Sequence, residues 1–146
     1  MGLESQIETG FKALVVAQLA TDGITATIRA SLLDDESGEE AEIITYPYVL
    51  IASNPAIPIW MQSPFVDVAL TVVMATHAAD DTKRTSLLAL YDSVRSVIDS
   101  GDISAYVTSG NWAGVIVDSS EGVTIDGNDQ SITLTLTNRL CGVSYS

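Results

Sequence analysis

The chain has 146 residues, of which 47% are hydrophobic and only 17% charged. That length suits one domain around one core, and that apolar content excludes a disordered tail. The 19 acidic and 6 basic residues give a net charge of −13, which excludes a free-standing nucleic-acid binder, because such binding needs Lys and Arg to displace counterions. The charge keeps a monomer soluble by self-repulsion. Mean hydropathy is nevertheless positive, so much apolar surface has to be buried, within the chain or between copies.

Leu3, Ile7, Phe11, Leu14 and Leu19 recur at the spacing of one helix face, with Glu4 and Glu8 in the first turns, where acids suit the positive helix end. Asp22-Gly23 stops the pattern, and the spacing predicts a helix over residues 3–20. Ile24 to Ala30 reads as a short strand. The block that follows carries Asp34, Asp35, Glu36, Glu39, Glu40 and Glu42. Such a run cannot pack in a core and is expected as a solvated loop or hairpin tip. Ile43 to Ala52 is the next expected strand, and Pro47 inside it removes a ladder donor, so an edge or bulged position is expected. In Asn54 to Pro64 three prolines are expected to forbid regular structure, yet Ile57, Ile59, Trp60 and Met61 are apolar. A loop that hydrophobic either folds back over the core or docks on a partner.

Val66, Val68, Leu70, Val72 and Met74 alternate with small or polar residues, the pattern of a long strand in the middle of a sheet. Asp80-Asp81-Thr82 can cap a helix, and Leu87, Leu88, Tyr91, Val94, Val97 and Ile98 predict one over residues 82–99. Ile103 to Ser109 has no decisive pattern. Ala113 to Val117 and Ile132 to Thr137 read as strands, with a turn at Asp126-Gly127-Asn128-Asp129. The whole of 1–146 is therefore expected as one α+β domain. Its mixed or antiparallel sheet packs with two helices in the order α-β-β-β-α-β-β.

Candidate chemistry is sparse. His77 is the lone histidine, and no nucleophile elbow accompanies it. Asp80 and Asp81 are adjacent, and capping explains them better than acid–base work. Cys141 is alone, which rules out an intramolecular disulfide or a Cys-rich zinc site and fits a small buried or half-buried filler. The Asp126–Asp129 turn lacks the alternating acids and closing glutamate of a calcium loop. No enzyme activity, cofactor or metal is expected. Lys83, Arg84 and Arg95 concentrate scarce cations around the second helix, where they pair with acids of their own helix or with acids of another copy. Trp112 is expected as a lid on the core. The N-terminus lacks a basic region followed by an apolar stretch, and no run reaches bilayer-spanning length, so a soluble cytosolic protein is expected.

The order of helix, three strands, helix and hairpin runs from Leu3 to Cys141. It includes the strand Tyr46-Pro47-Tyr48-Val49-Leu50-Ile51 and the long strand through Ala75. In pattern and size it resembles the tail terminator, or tail completion, proteins of long-tailed bacteriophages. The resemblance implies a homohexameric ring that caps the tail tube, joins it to the head connector, and lets DNA pass without specific binding. Such a ring is assembled in the host cytoplasm and resides in the virion. Asp34, Asp35, Glu36, Glu39, Glu40 and Glu42 would then project into or beside the channel. Ile57, Ile59, Trp60, Met61, Lys83 and Arg84 would serve contacts between subunits or with the tube. The Asn54–Pro64 insertion departs from the pattern, being long for a simple hairpin. Another head–tail connector or neck ring protein is the alternative, followed by a small soluble binding domain.

Overall fold

A computed structural model describes residues 2–30, 47–54, 57–58, 65–120 and 122–142. Helix α1 spans Leu3–Asp22 and ends where Gly23 turns left-handed at φ 72. Glycine takes that conformation without a Cβ penalty. The Gly23 N–H then donates to the Ala20 carbonyl, and Ile24 N–H to that of Leu19. Leu3, Ile7, Phe11 and Leu19 are buried along one face, as the spacing predicts, while Val15 rather than the expected Leu14 completes it, Leu14 being half-buried.

Helix α2 spans Thr85–Ser100. It starts later than its apolar spacing predicts, because residues 82–84 form a turn in which Arg84 takes the left-handed conformation at φ 58. That turn brings the Asp81 carboxylate back over the helix start, where it accepts from Ser86 N–H at 3.0 Å and Leu87 N–H at 2.9 Å. Capping by Asp81 is thus correct in kind, with the helix beginning four residues further on.

The strands are β1 (Thr27–Ala30), β2 (Tyr48–Ser53), β3 (Ile57–Pro58), β4 (Phe65–His77), β5 (Asn111–Ser120), β6 (Thr124–Asp126) and β7 (Asp129–Cys141). They form one mixed sheet in the order β1-β2-β4-β7-β5, with β3 added beside β4 and β6 beside β7. Among the described strands only β1 and β2 run parallel. Among the described residues, the expected α+β architecture with two helices is therefore the observed one. The long strand β4 lies inside the sheet, between β2 and β7.

Two local expectations are corrected. Pro47 does not sit within its strand: β2 begins at Tyr48, and β2 is interior, between β1 and β4. A proline just ahead of a strand costs no ladder bond, and the Pro47 carbonyl still accepts from Thr27 N–H at 2.9 Å. The proline-rich segment is not wholly irregular either. Ile57 and Pro58 form β3 opposite Asp67 and Val66, extending along β4 the line that β2 leaves at Ser53 opposite Leu70. Residues 31–46, including the acidic block, and residues 59–64, including Ile59, Trp60 and Met61, lie outside the described residues.

Both helices cover one face of the sheet, α1 over β1 and β2, α2 over β4 and β7. Val66, Val68, Leu70, Val72 and Met74 of β4 point into this layer with Val49 and Ile51 of β2 and Ile132, Leu134, Leu136 and Leu140 of β7. Phe11, Leu87 and Val94 meet them, while Leu14 and Tyr91 are half-buried at the margin. The approach of α1 to the chain after α2 depends on two glycines. A Cβ on Gly10 would stand 2.9 Å from Ile103 Cβ, and one on Gly101 would stand 2.4 Å from the Val97 carbonyl oxygen.

Candidate functional site

Three polar regions stand out from the apolar framework, one at each end of the sheet and one on its uncovered face. At the end where β4 begins, α1 contributes two buried polar side chains. Gln6 accepts from the N–H groups of Thr108 and Ser109 at 2.9 and 3.2 Å and donates to the Ser109 hydroxyl at 3.0 Å. Glu8, fully buried, accepts from the Ser53 N–H at 2.9 Å and from its hydroxyl at 2.5 Å. One helix turn thereby ties down the loop leading into β5 and the point where β2 leaves for the proline-rich segment. Gln6 was not singled out in the sequence, and Glu8 was read as an acid favouring the helix start rather than as a buried partner of Ser53, because both fall between positions of the apolar spacing. The available signal was the run Ser5-Gln6, which interrupts the apolar surface next to Leu3 and Ile7.

At the opposite end, Asp81 is the hub of a buried network. Besides capping α2, its carboxylate accepts from the Thr76 hydroxyl at 3.0 Å and from Gln130 Nε2 at 3.1 Å, and that same amide nitrogen lies 2.7 Å from the Asp81 carbonyl oxygen. Burial alone would raise the Asp81 pKa, but the bonds from Ser86, Leu87, Thr76 and Gln130 outweigh it and hold the group below the ordinary carboxylate value. A recess of about 120 Å³ opens beside this network, lined by Pro47, Thr76, His77, Asp80, Asp81 and Ser86. His77 Nδ1 lies 3.8 Å from the exposed Asp80 carboxylate. The four donors around Asp81 occupy its oxygens, so its role here is to cap and cross-link elements. Among the described residues no group of three His, Cys, Asp or Glu side chains is placed to hold a metal ion.

The third region is the sheet face away from the helices. It carries Leu50 and Ala52 of β2, Asp67, Ala69, Thr71 and Val73 of β4, and Ser131, Thr133, Thr135, Thr137 and Arg139 of β7. Ile116 of β5 lies opposite Thr137 on the same face and is 64% exposed, the highest value among the large apolar residues described. Arg139 forms a two-pronged pair with Asp67, Nε to Oδ1 at 2.9 Å and Nη2 to Oδ2 at 3.1 Å, and the Thr137 hydroxyl donates to Asp118.

Of the expected interface residues, Lys83, Arg84 and Ile57 are described and lie towards opposite ends of the sheet, while Ile59, Trp60 and Met61 lie outside the described residues. Lys83 and Arg84 are exposed in the turn before α2, near the Gly127-Asn128 tip whose Asn128 carbonyl accepts from Ala78 N–H. Ile57 lies opposite Asp67, ten residues of β4 away from His77, a span of about 30 Å along a strand. Arg95 pairs within its own helix, with Asp99 at 3.0 Å. Trp112 is half-buried against the core, its indole N–H donating to the side-chain Oδ1 of the buried Asn138 at 3.0 Å. Cys141 is half-buried at the end of β7.

No protein-family model matches the chain, and no curated protein matches it. Among solved structures, a chain from the structure described as the virion of native gene transfer agent (GTA) particle is similar. It is 13% identical, with a TM-score of 0.59, over 90% of this chain and 94% of its own length. At that identity the likeness is one of fold, and it extends over almost the entire domain. No helix among the described residues is long and apolar enough to cross a membrane.

Proposed function

We propose that this chain is a structural virion protein that forms a ring at the head–tail junction, capping the tail tube while letting DNA pass. The observation that carries the reading is the end-to-end fold likeness to a chain of a gene transfer agent virion, a phage-like particle. The element order, which resembles tail terminator proteins, supports the finer assignment. In this reading the ring is a homohexamer, with the tail tube protein on one side and a head connector or neck protein on the other. Ile57, Ile59, Trp60 and Met61 serve subunit or tube contacts. Lys83 and Arg84 meet acidic neighbours. Asp34, Asp35, Glu36, Glu39, Glu40 and Glu42 face the channel, where a negative wall repels the DNA backbone and denies it sticky sites. The role is structural, without catalysis or cofactor, and His77→Ala should leave folding and assembly unchanged.

Native mass spectrometry with negative-stain imaging over a range of concentrations tests the ring. Closed hexamers support it, and monomers or open polymers at every concentration overturn it. Neutralising the six acids to Asn or Gln should preserve assembly and raise DNA retention at low salt. Unchanged DNA retention would remove the channel role.

A further inference from the structure

Helix α2 is charged against its own polarity. Its positive, N-terminal end has no acid in the first turn and is preceded by Lys83 and Arg84. Its negative, C-terminal end has no base in the last turn, carries Asp99 and is followed by Asp102. Asp81 answers the start of the helix from beneath, with its oxygens taken up by Thr76, Gln130 and the N–H groups of Ser86 and Leu87. Lys83 and Arg84 stand outside that network, exposed.

Of the 6 Lys and Arg side chains, Arg95 and Arg139 hold Asp99 and Asp67. Among the described residues no carboxylate lies within ion-pair reach of Lys83 or Arg84. Their turn is nonetheless fixed: the Arg84 N–H donates to the Asp81 carbonyl at 3.0 Å, and the Arg84 carbonyl accepts from Leu88 N–H at 2.9 Å. The other end is fixed as well. Gly101 N–H donates to the Val97 carbonyl at 2.7 Å, and the exposed Asp102 carboxylate accepts from Ser104 N–H at 2.8 Å. Two rigid ends of opposite charge are thus held apart by the 16 residues of α2, a length of about 24 Å.

We propose that copies of this chain associate head to tail through the two ends of α2, with Lys83 and Arg84 of one copy meeting Asp102, and Asp99 beside it, of the next. The inference rests on the ring reading above and names the acids that Lys83 and Arg84 meet. Charge complementarity selects the occupant. A second copy also carries −13, so approach is repelled except where cations without a carboxylate of their own face acids. The helix ends add to this. Cations suit the C-terminal end of a helix and acids the N-terminal end, so in this contact each copy supplies the other helix with the charge that it lacks. A symmetric pairing of like ends would set cation against cation or acid against acid. A contact between unlike patches is heterologous and propagates in one direction, closing into a ring when the rotation per copy permits.

Exchange of charge between the two ends tests this. One variant carries Lys83→Glu with Arg84→Glu, a second carries Asp102→Lys, and a third carries all three changes. Native mass spectrometry over a range of concentrations reads assembly, and thermal melting by circular dichroism reads the monomer. Each of the first two variants should need at least about tenfold more protein to assemble than the native chain. The third should recover assembly, because the same partners meet with their signs exchanged. The monomer of the first should melt no lower than the native one, since acids suit the start of α2. Assembly that either of the first two variants leaves unchanged would overturn the contact. So would a loss that the third variant does not repair, which would place the partner acid elsewhere. Either result, with native rings still formed, would sink this contact alone, whereas a native chain that never self-associates would sink the ring reading too.

Discussion

On β4, Val66, Val68, Leu70, Val72 and Met74 point at the helices, while Asp67, Ala69, Thr71 and Val73, one residue out of phase, point away. The same thirteen residues of backbone thus serve two surfaces that obey different rules. The covered face is a packed interior in which every methylene has neighbours, so volume and shape matter. The open face is flat, half-shielded by adjacent strands, and holds small hydroxylated side chains that tolerate both water and a protein surface. Asn138 breaks the first pattern, as Thr76 and Gln130 do towards the other end of the sheet; it is fully buried and retained through its bonds to Trp112 Nε1 and, more weakly at 3.5 Å, to the Val68 carbonyl. Ile116 is the most exposed large apolar side chain of the second face, at 64%. A buried polar group is explained inside the domain by its bonding partners, whereas a single exposed apolar side chain needs no such partner.

The sharpest way to break this contrast is Leu70→Ala. With no exposure in the native state, it should cost about 2–5 kcal/mol by lost burial plus the cavity left behind. Urea denaturation reads this as a lower midpoint at unchanged slope. Asp81→Ala should follow at about 2–3 kcal/mol, since it removes a helix cap and strands the donors of Thr76 and Gln130.

The Asp81 effect also has a pH signature. Because the native pKa is held below the unfolded value of about 3.9, the stabilisation is present above that value. It is lost as pH falls through the native pKa. The stability difference between the native protein and Asp81→Asn should therefore shrink below about pH 4, and a constant difference down to the acid transition would contradict the network. Gly101→Ala is expected to cost about 1–3 kcal/mol through overpacking against Val97 and Leu14, measured as a drop in Tm.

On the open face the effects should be small. Arg139→Ala should cost under about 1 kcal/mol, because its pair with Asp67 is solvent-exposed. Thr135→Val should change stability by no more than about 0.5 kcal/mol. A loss from Thr135→Val comparable to that of Leu70→Ala would show that the open face is part of the monomer's own core.

Much of the architecture was legible because it depends on local periodicity. The alternation from Val66 to Met74 identifies a strand, and the Gly127-Asn128 turn, with Gly127 at φ 60, joins β6 to β7 as its residues predict. Pro47 was misplaced by one position, because a proline just before a strand and one within it look alike when neighbouring registers are unknown. Ile57-Pro58 was missed for a related reason. A two-residue strand has no period of its own and exists only because β4 runs past the end of β2. The placement of Lys83 and Arg84 at the opposite end of the sheet from Ile57 was not legible, because it depends on how β3 pairs with β4.

By itself the sequence determined two amphipathic helices, an interior strand, a closing hairpin and a surplus of negative charge, all of which follow from spacing and composition. The tertiary structure decided which partners those elements meet. Gln6 and Glu8 became clamps only when Thr108, Ser109 and Ser53 were brought to them. Asp81 became a hub only when β7 delivered Gln130. Ile116 became an outward knob through the β5–β7 register, which shifts between Trp112 and Gly114. Periodicity is written along the chain, but the face a side chain finally presents depends on register. Register is settled by contacts between residues far apart in sequence.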